Sequence, residues 1–311
     1  MFNERGQYMK CIPVKELNSK AALPQELVLE AENAYADQIS KAAERIFTER
    51  RERPVVLISG PSGSGKTTSA GRIARLLDDN GCRAHTISMD NYFLPLTEEE
   101  KRLGEQGLFD FESPKRLDNH MFMEHLEKLR RCEPIDIPSF DFAEQKRRPG
   151  MRLECQPGDI VIMEGIHALN PDVTGESDDY TNRVYVSVRT RLEDGGELLH
   201  PSKIRLMRRL IRDKLYRGRS IVDTMEFFRS VERGENLYIM PYKHRASFDI
   251  DTFIAYEPMV YRDILLSDLE QVSRSYDQYE SYADIEYFLK RLEPLPESAV
   301  PENSLVREFI G

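Results

Sequence analysis

Nine consecutive residues, Gly60-Pro61-Ser62-Gly63-Ser64-Gly65-Lys66-Thr67-Thr68, carry the clearest chemistry in this 311-residue sequence. They satisfy the spacing G-x-x-x-x-G-K-[ST]. Glycines in that spacing let backbone N–H groups turn inward on phosphate oxygens with no Cβ in the way. Lys66 then reaches the β- and γ-phosphates, and the Thr67 hydroxyl becomes a ligand for Mg²⁺. The helix that starts here adds its positive end. The alternative is a glycine-rich turn that binds nothing. At an average glycine usage of about 7%, a chance match is roughly a one-per-cent event or rarer.

Two carboxylates follow other apolar runs. Asp90 comes after Thr86-Ile87-Ser88-Met89, and Glu164 after Ile160-Val161-Ile162-Met163. Beside bound phosphates an acid can hold Mg²⁺ or accept the proton of an attacking hydroxyl. Residue chemistry alone does not divide these jobs between the two. A third group is cationic: Lys203, Arg205, Arg208, Arg209, Arg212, Lys214, Arg217 and Arg219, with Asp213 the only acid among them. At helical spacing Arg205, Arg209 and Arg212 share one face, while Ile204, Met207, Ile211 and Leu215 share an apolar one. Such a helix packs on its aliphatic side and presents an arginine row, suited to a lid over a triphosphate. A solvated basic face and a nucleic-acid patch are the rival readings.

The elements that must position these residues read as alternating strands and helices. Val55 to Ser59 is a short β-branched run after Pro54, as expected of a fully buried parallel strand. Strands are predicted over 84–89, 160–163, 184–188 and 251–255. Helices are predicted over 25–50, 66–77, from a cap at Asp118, and over 202–217, 260–269 and 285–292. Residues 1–24 show no clear period. Right-handed βαβ units then give an α/β fold: a parallel sheet with helices on both faces and ligands beyond the carboxyl ends of the strands.

Composition excludes several classes. With 44 Lys+Arg against 54 Asp+Glu the formal net charge is −10, which argues against nucleic acid or an anionic membrane as the main partner. No apolar run reaches the roughly 18–20 residues that span a bilayer. The opening MFNERGQYMK is charged where a secretory signal is apolar. Cys11, Cys82, Cys132 and Cys155 are scattered, as are the six histidines, with no metal-ligand spacing. A cytoplasmic protein is the expectation. His167 reads as a structural histidine, Lys146-Arg147-Arg148 as a solvated loop, and the tyrosines between Tyr276 and Tyr287 as packing.

The ordered segments GPSGSGKTT (60–68), ISMDNYF (87–93), FD (109–110), SFDF (139–142), IVIMEGIHALNP (160–171) and RLMRRLIRDKLYRGRS (205–220) resemble the uridine kinase and phosphoribulokinase family. The resemblance covers roughly residues 54–257. A bacterial nucleoside or uridine kinase-like branch shares EGIHALNP and a late SLVREFIG (304–311). Longer members of that branch carry a portion akin to part of threonyl-tRNA synthetase, for which this chain has no room. The resemblance implies a P-loop NTPase with an arginine-rich lid helix, binding ATP through Gly60, Pro61, Ser62, Gly63, Ser64, Gly65, Lys66, Thr67 and Thr68. It makes Asp90 the base, has Glu164 place Mg²⁺ with Thr67, and puts Asp110 on the acceptor's sugar hydroxyls. Arg209, Arg212, Arg217 and Arg219 become the lid and phosphate clamp, with Arg212 and Lys66 acting at the transferring group.

Three departures fall on the acceptor side. Tyr92-Phe93 stands in the reverse of the family's order, Phe140 replaces a tyrosine, and Gln145 replaces a base-reading histidine. The expectation is an ATP- and Mg²⁺-dependent kinase of a primary hydroxyl on a nucleoside, with no nucleic acid or membrane partner. A different sugar-bearing acceptor and a non-catalytic ATP-dependent switch are the alternatives, and oligomeric state, a homo-oligomer included, is left open. The expected organisation is a helical extension over 1–53, a kinase domain over 54–257 and a helical segment over 258–311.

Overall fold

The computed structural model describes residues 10–311; the charged opening segment read for a signal lies, but for Lys10, outside the described residues. Cys11–Pro13 (β1), Val14–Lys20 (α1) and Pro24–Glu49 (α2) come first, then Val55–Ser59 (β2), Lys66–Asp79 (α3) and Ala84–Ser88 (β3). Glu98–Glu105 (α4), Asn119–Arg130 (α5), Ile135–Asp141 (β4) and Lys146–Leu153 (β5) follow. Ile160–Glu164 (β6), Pro171–Thr174 (α6), Thr181–Ser187 (β7), Arg191–Asp194 (β8) and Glu197–Leu199 (β9) lead to Pro201–Arg217 (α7) and Ile221–Tyr238 (α8). Phe248–Asp251 (β10), Glu257–Val272 (α9), Ala283–Arg291 (α10) and Arg307–Ile310 (α11) complete the order.

Five strands make one parallel sheet in the order β10-β7-β2-β6-β3. Strands β2, β6 and β7 are buried at every position. A parallel strand covered on both faces needs apolar side chains on both, so VVLIS and IVIM read as continuous runs. Alternate residues then divide between two cores. Val56 and Ile58 join one formed with α2, α3, α7, α9 and α10. Val55 and Leu57 join another with Phe122, Leu126 and Leu129 of α5. Leu27, Ala31, Tyr35, Ile39, Ala42 and Ile46 form the buried stripe of α2 that their spacing predicts. Asp118 caps α5, its carboxylate accepting from the Met121 N–H at 3.1 Å. No helix of the described residues is long and apolar enough to cross a membrane.

The structure departs from the sequence reading in several places, and helix α8 was not predicted. The strand predicted at 251–255 is Phe248–Asp251, paired with Val184–Ser187 of β7. The Asp251 carboxylate ends it by accepting N–H groups of Arg189, Thr190 and Phe253, which turns the following residues out of the sheet. Residues 11–20, which show no clear period, form β1 and α1, with β1 pairing parallel to β8. The antiparallel hairpin β4–β5 was not predicted, and its ladder shifts register at Ile137/Ser139, where Pro138 cannot donate.

Candidate active site

Glycine is required at the start of the phosphate loop, because a Cβ on Gly60 would stand 1.9 Å from the Val186 carbonyl oxygen. At its end Gly65 has φ 80° and gives α3 no side-chain cap. The first-turn N–H groups are therefore left for an anion. The loop's carbonyls are turned outward and held there. Ser62 O accepts from Arg205 at 3.1 Å, Gly63 O from Arg208 at 3.0 Å and Ser64 O from the Thr252 hydroxyl at 2.7 Å. Lys66 folds over the loop and donates to Pro61 O at 3.2 Å. With these three carbonyls held by side chains from other elements, the loop backbone is fixed before any ligand arrives.

The braces come largely from α7, and here the expected arginine row is overturned. Arg205, Arg208 and Arg209 are buried, so no continuous row faces solvent. A guanidinium can be buried only with partners, and each has them. Arg205 Nη2 reaches Glu235 at 2.6 Å. Arg208 makes a two-point pair with Glu257 at 2.7 and 2.8 Å, both side chains fully buried. Burial opposes the Arg208 charge, but Glu257 outweighs it and holds the guanidinium pKa above its ordinary value. Neither Thr252 nor Glu257 carries a local motif, so the sequence offered no signal for them.

Further along α7, one buried carboxylate faces four guanidiniums. Asp213 lies 3.3 Å from Arg209, 3.6 Å from Arg212, 3.1 Å from Arg217 and 3.6 Å from Arg219. Gly218, in the left-handed conformation at φ 59°, turns the chain so that Arg219 returns to this acid. Four cations on one anion leave an excess of positive charge. Burial first, then the neighbouring Arg212 and Arg217, hold Arg209 down to about 10, against the pull of Asp213. Burial and Arg217 lower Arg212 as well. The cluster is short of negative charge, which a polyphosphate supplies.

The two strand-end acids meet at the loop. Register pairs Ser88 of β3 and Ile58 of β2 with Glu164 of β6, so Asp90, just past β3, and Glu164 flank the phosphate cradle. The Thr67 hydroxyl donates to Glu164 at 3.2 Å. Burial pushes the Glu164 carboxyl up, Lys66 pulls it down, and Asp90 pushes it up again. Asp90 is accessible from the crevice, yet the surrounding protein raises its pKa while the charges of Lys66 and Arg217 lower it. The hard oxygens of Thr67 and Glu164 fit Mg²⁺, which takes one or two protein ligands and completes its shell with phosphates and water. Among the described residues no cluster of three His, Cys, Asp or Glu forms a protein-only metal cage.

A second polar group gathers around Asp110, and its Glu112 feels the charge of Asp90. Asp110 accepts from the Tyr238 hydroxyl at 2.8 Å and from the Glu112 N–H at 3.1 Å, with Arg233 3.7 Å away. Glu112 was not singled out by the sequence. Burial pushes its carboxyl up to about 7, with Arg209 and Lys66 pulling down and Asp110 and Asp90 pushing up. His167 is buried beside Tyr238, ring centroids 6.2 Å apart, and burial holds it down to about 4, so it is neutral at pH 7.

The hairpin β4–β5 closes this side with aromatic rings. Phe140 and Phe142 stand 5.0 Å apart, and Phe93 lies 5.9 and 5.5 Å from them. Tyr92 points the other way, fully buried, its hydroxyl 2.8 Å from His125 Nδ1. Gln145 occupies the hairpin turn at φ 52° and donates to the Phe142 carbonyl at 2.9 Å. Arg147 pairs with Asp118 at 3.0 Å, and Arg148 with Glu144 at 2.6 Å.

A phosphate loop between the first strand and first crossover helix of a parallel sheet, with acids at two neighbouring strand ends, defines a P-loop nucleotide-binding protein. The chain belongs to the phosphoribulokinase/uridine kinase family, whose sequence model matches residues 55–255. It is similar to the uridine kinase of Lactobacillus helveticus (strain DPC 4571), 32% identical over 225 residues, covering 71% of this chain and 96% of that one. The uridine kinase of Borreliella burgdorferi (strain ZS7) is 31% identical over 197 residues, covering 63% and 85%. Among solved structures, D-glycerate 3-kinase from Cryptococcus neoformans is 16% identical with a TM-score of 0.47, covering 65% and 88%. The protein is a P-loop kinase, with ATP as its phosphoryl donor.

Proposed function

We propose that this kinase transfers the γ-phosphoryl group of ATP to a primary hydroxyl of a nucleoside or a similar sugar-bearing metabolite. The observation that carries the reading is Asp90, accessible just past β3 and within reach of the charges of Lys66 and Arg217, with Asp110, bonded to Tyr238, acting alongside it on Glu112. Gly60 to Thr68 cradle the phosphates, Lys66 neutralises the β- and γ-oxygens, and Arg209, Arg212, Arg217 and Arg219, gathered on Asp213, supply further positive charge. Arg212 meets the charge that develops during transfer. Thr67 and Glu164 would hold Mg²⁺, which would supply charge neutralisation to the transferring group. Asp90 accepts the proton of the acceptor hydroxyl, and Asp110, kept in place by Tyr238, binds the sugar's other hydroxyls.

The relatives named uridine kinase support a nucleoside acceptor. The aromatic cluster supports a second acceptor class. Phe93, Phe140 and Phe142 offer faces and edges but no hydrogen bond, and Gln145 spends its amide on the hairpin turn. A base read by stacking alone is read loosely, so acceptors with other flat or apolar substituents on a sugar are favoured as well. ADP formation with Mg-ATP across a panel of nucleosides and sugars tests the proposal. Stimulation by at least one ribose-bearing acceptor is expected. No stimulation by any of them supports the ATP-dependent switch instead.

A further inference from the structure

Residues 301–311 pack against the phosphate loop from outside the matched family region. Leu305 Cδ1 lies 2.6 Å from where a Cβ on Gly65 would stand, so the segment forms the outer wall of the loop's last turn. Leu305, Val306 and Phe309 are fully buried. Ser304 reaches Glu32 at 2.5 Å, the Asn303 carbonyl accepts from Arg72, and Arg307 donates to Val300 O at 2.7 Å. The segment is anchored on both sides of Glu308.

Glu308 itself points at the donor site. It is partly exposed, and its Oε2 accepts from the Thr68 hydroxyl at 2.5 Å. Its charge also acts on Arg208 and Arg212. Thr68 is the third residue of α3, in the first turn, where unpaired N–H groups receive phosphate. A hydroxyl has one proton to give, and here it goes to Glu308 and not to an incoming phosphate oxygen. A carboxylate bonded to the first turn also opposes the polyanion that the helix dipole and Lys66 attract.

We propose that Glu308 is a positioning residue that limits nucleotide affinity: it holds the Thr68 hydroxyl and sets a negative charge against the bound polyphosphate. The inference rests on the reading of Gly60 to Thr68 as the donor site. It reverses the sign expected of a structural contact, because deleting the charge tightens binding.

Titration calorimetry of ADP into the full chain tests it. Glu308→Gln keeps an oxygen that can accept from Thr68 and deletes the charge, so the Kd is expected to fall about tenfold. Glu308→Ala is expected to move it the same way, and a slower ADP off-rate accompanies both. Unchanged or weaker ADP binding in both variants overturns the proposal. Lys66→Ala, measured alongside, separates the two levels: if it leaves ADP affinity intact, the donor-site reading itself fails. If neither Glu308 variant folds, hydrogen exchange on the wild-type chain decides. Loosened amides over 304–311 on ADP addition are expected, and unaltered or stronger protection overturns the proposal.

Discussion

The phosphate-loop side of this crevice and the side proposed for the acceptor are built on different principles. The donor side is a single polar network in which fold and site share residues. Arg208 braces the loop at Gly63 and also neutralises Glu257, so it cannot be lost from one without the other. The side proposed for the acceptor mixes buried rings such as Phe140 with exposed ones such as Phe142. Phe142 and the turn at Gln145 hang on a two-stranded hairpin whose second strand is largely solvent-facing. Preorganised phosphate binding needs fixed dipoles, and fixed dipoles need buried partners. A solvent-facing hairpin strand carries no such demand, because its polar groups are satisfied by water.

Breaking the donor network is expected to have the largest effect on stability. Arg208→Met leaves Glu257 as a buried unpaired carboxylate and should destabilise the fold by about 3–5 kcal/mol, seen as an earlier denaturant midpoint. Adding Glu257→Leu should recover part of that loss. Equal stability of Arg208→Met and wild type would break the claim that fold and site share this network.

A smaller effect is expected from His167, at the boundary of the two sides. Its folded pKa, about 4, lies below the ordinary 6.5, so the unfolded chain binds the extra proton between these values. Stability from this group is present above pH 6.5 and is lost as pH falls towards 4. Glu112, raised to about 7, has the opposite slope between its ordinary 4.5 and 7. Comparing wild type with His167→Gln cancels the Glu112 contribution. The variant should lose about 2–3 kcal/mol less between pH 7 and 4.5. Parallel pH profiles would contradict the buried, neutral histidine.

The smallest effect sharpens the contrast. Phe142 is about half exposed, at 53%, so Phe142→Ala should leave stability within about 0.5 kcal/mol. Its KM for the acceptor should rise about tenfold or less, with the KM for ATP unchanged. A matching rise in the KM for ATP would mean the two sides are not separable.

Local chemistry was legible in the sequence and long-range chemistry was not. The loop 60–68 is a contiguous spacing, and Asp90 and Glu164 follow from the rule that ligands gather at strand ends. The partners that make the loop rigid, Thr252 and Glu257, lie some 190 residues away and match no pattern. The arginines of α7 read as an exposed row because a charge run without its partners looks solvated. Glu235 and Glu257, which make burial tolerable, are distant. The hairpin was missed because Lys146 to Leu153 is polar and exposed on both faces and shows no alternation. Helix α8 did carry a signal, with Ser220 and Asp223 as a cap and Ile221, Met225 and Phe228 at helical spacing.

The most direct measurement compares Asp90→Asn with wild type for ATP affinity and for acceptor-stimulated ADP formation. If Asp90 joins an intact donor side to the acceptor hydroxyl, ATP affinity stays within about threefold while kcat falls about 10³-fold. Near-normal turnover in Asp90→Asn would contradict the account.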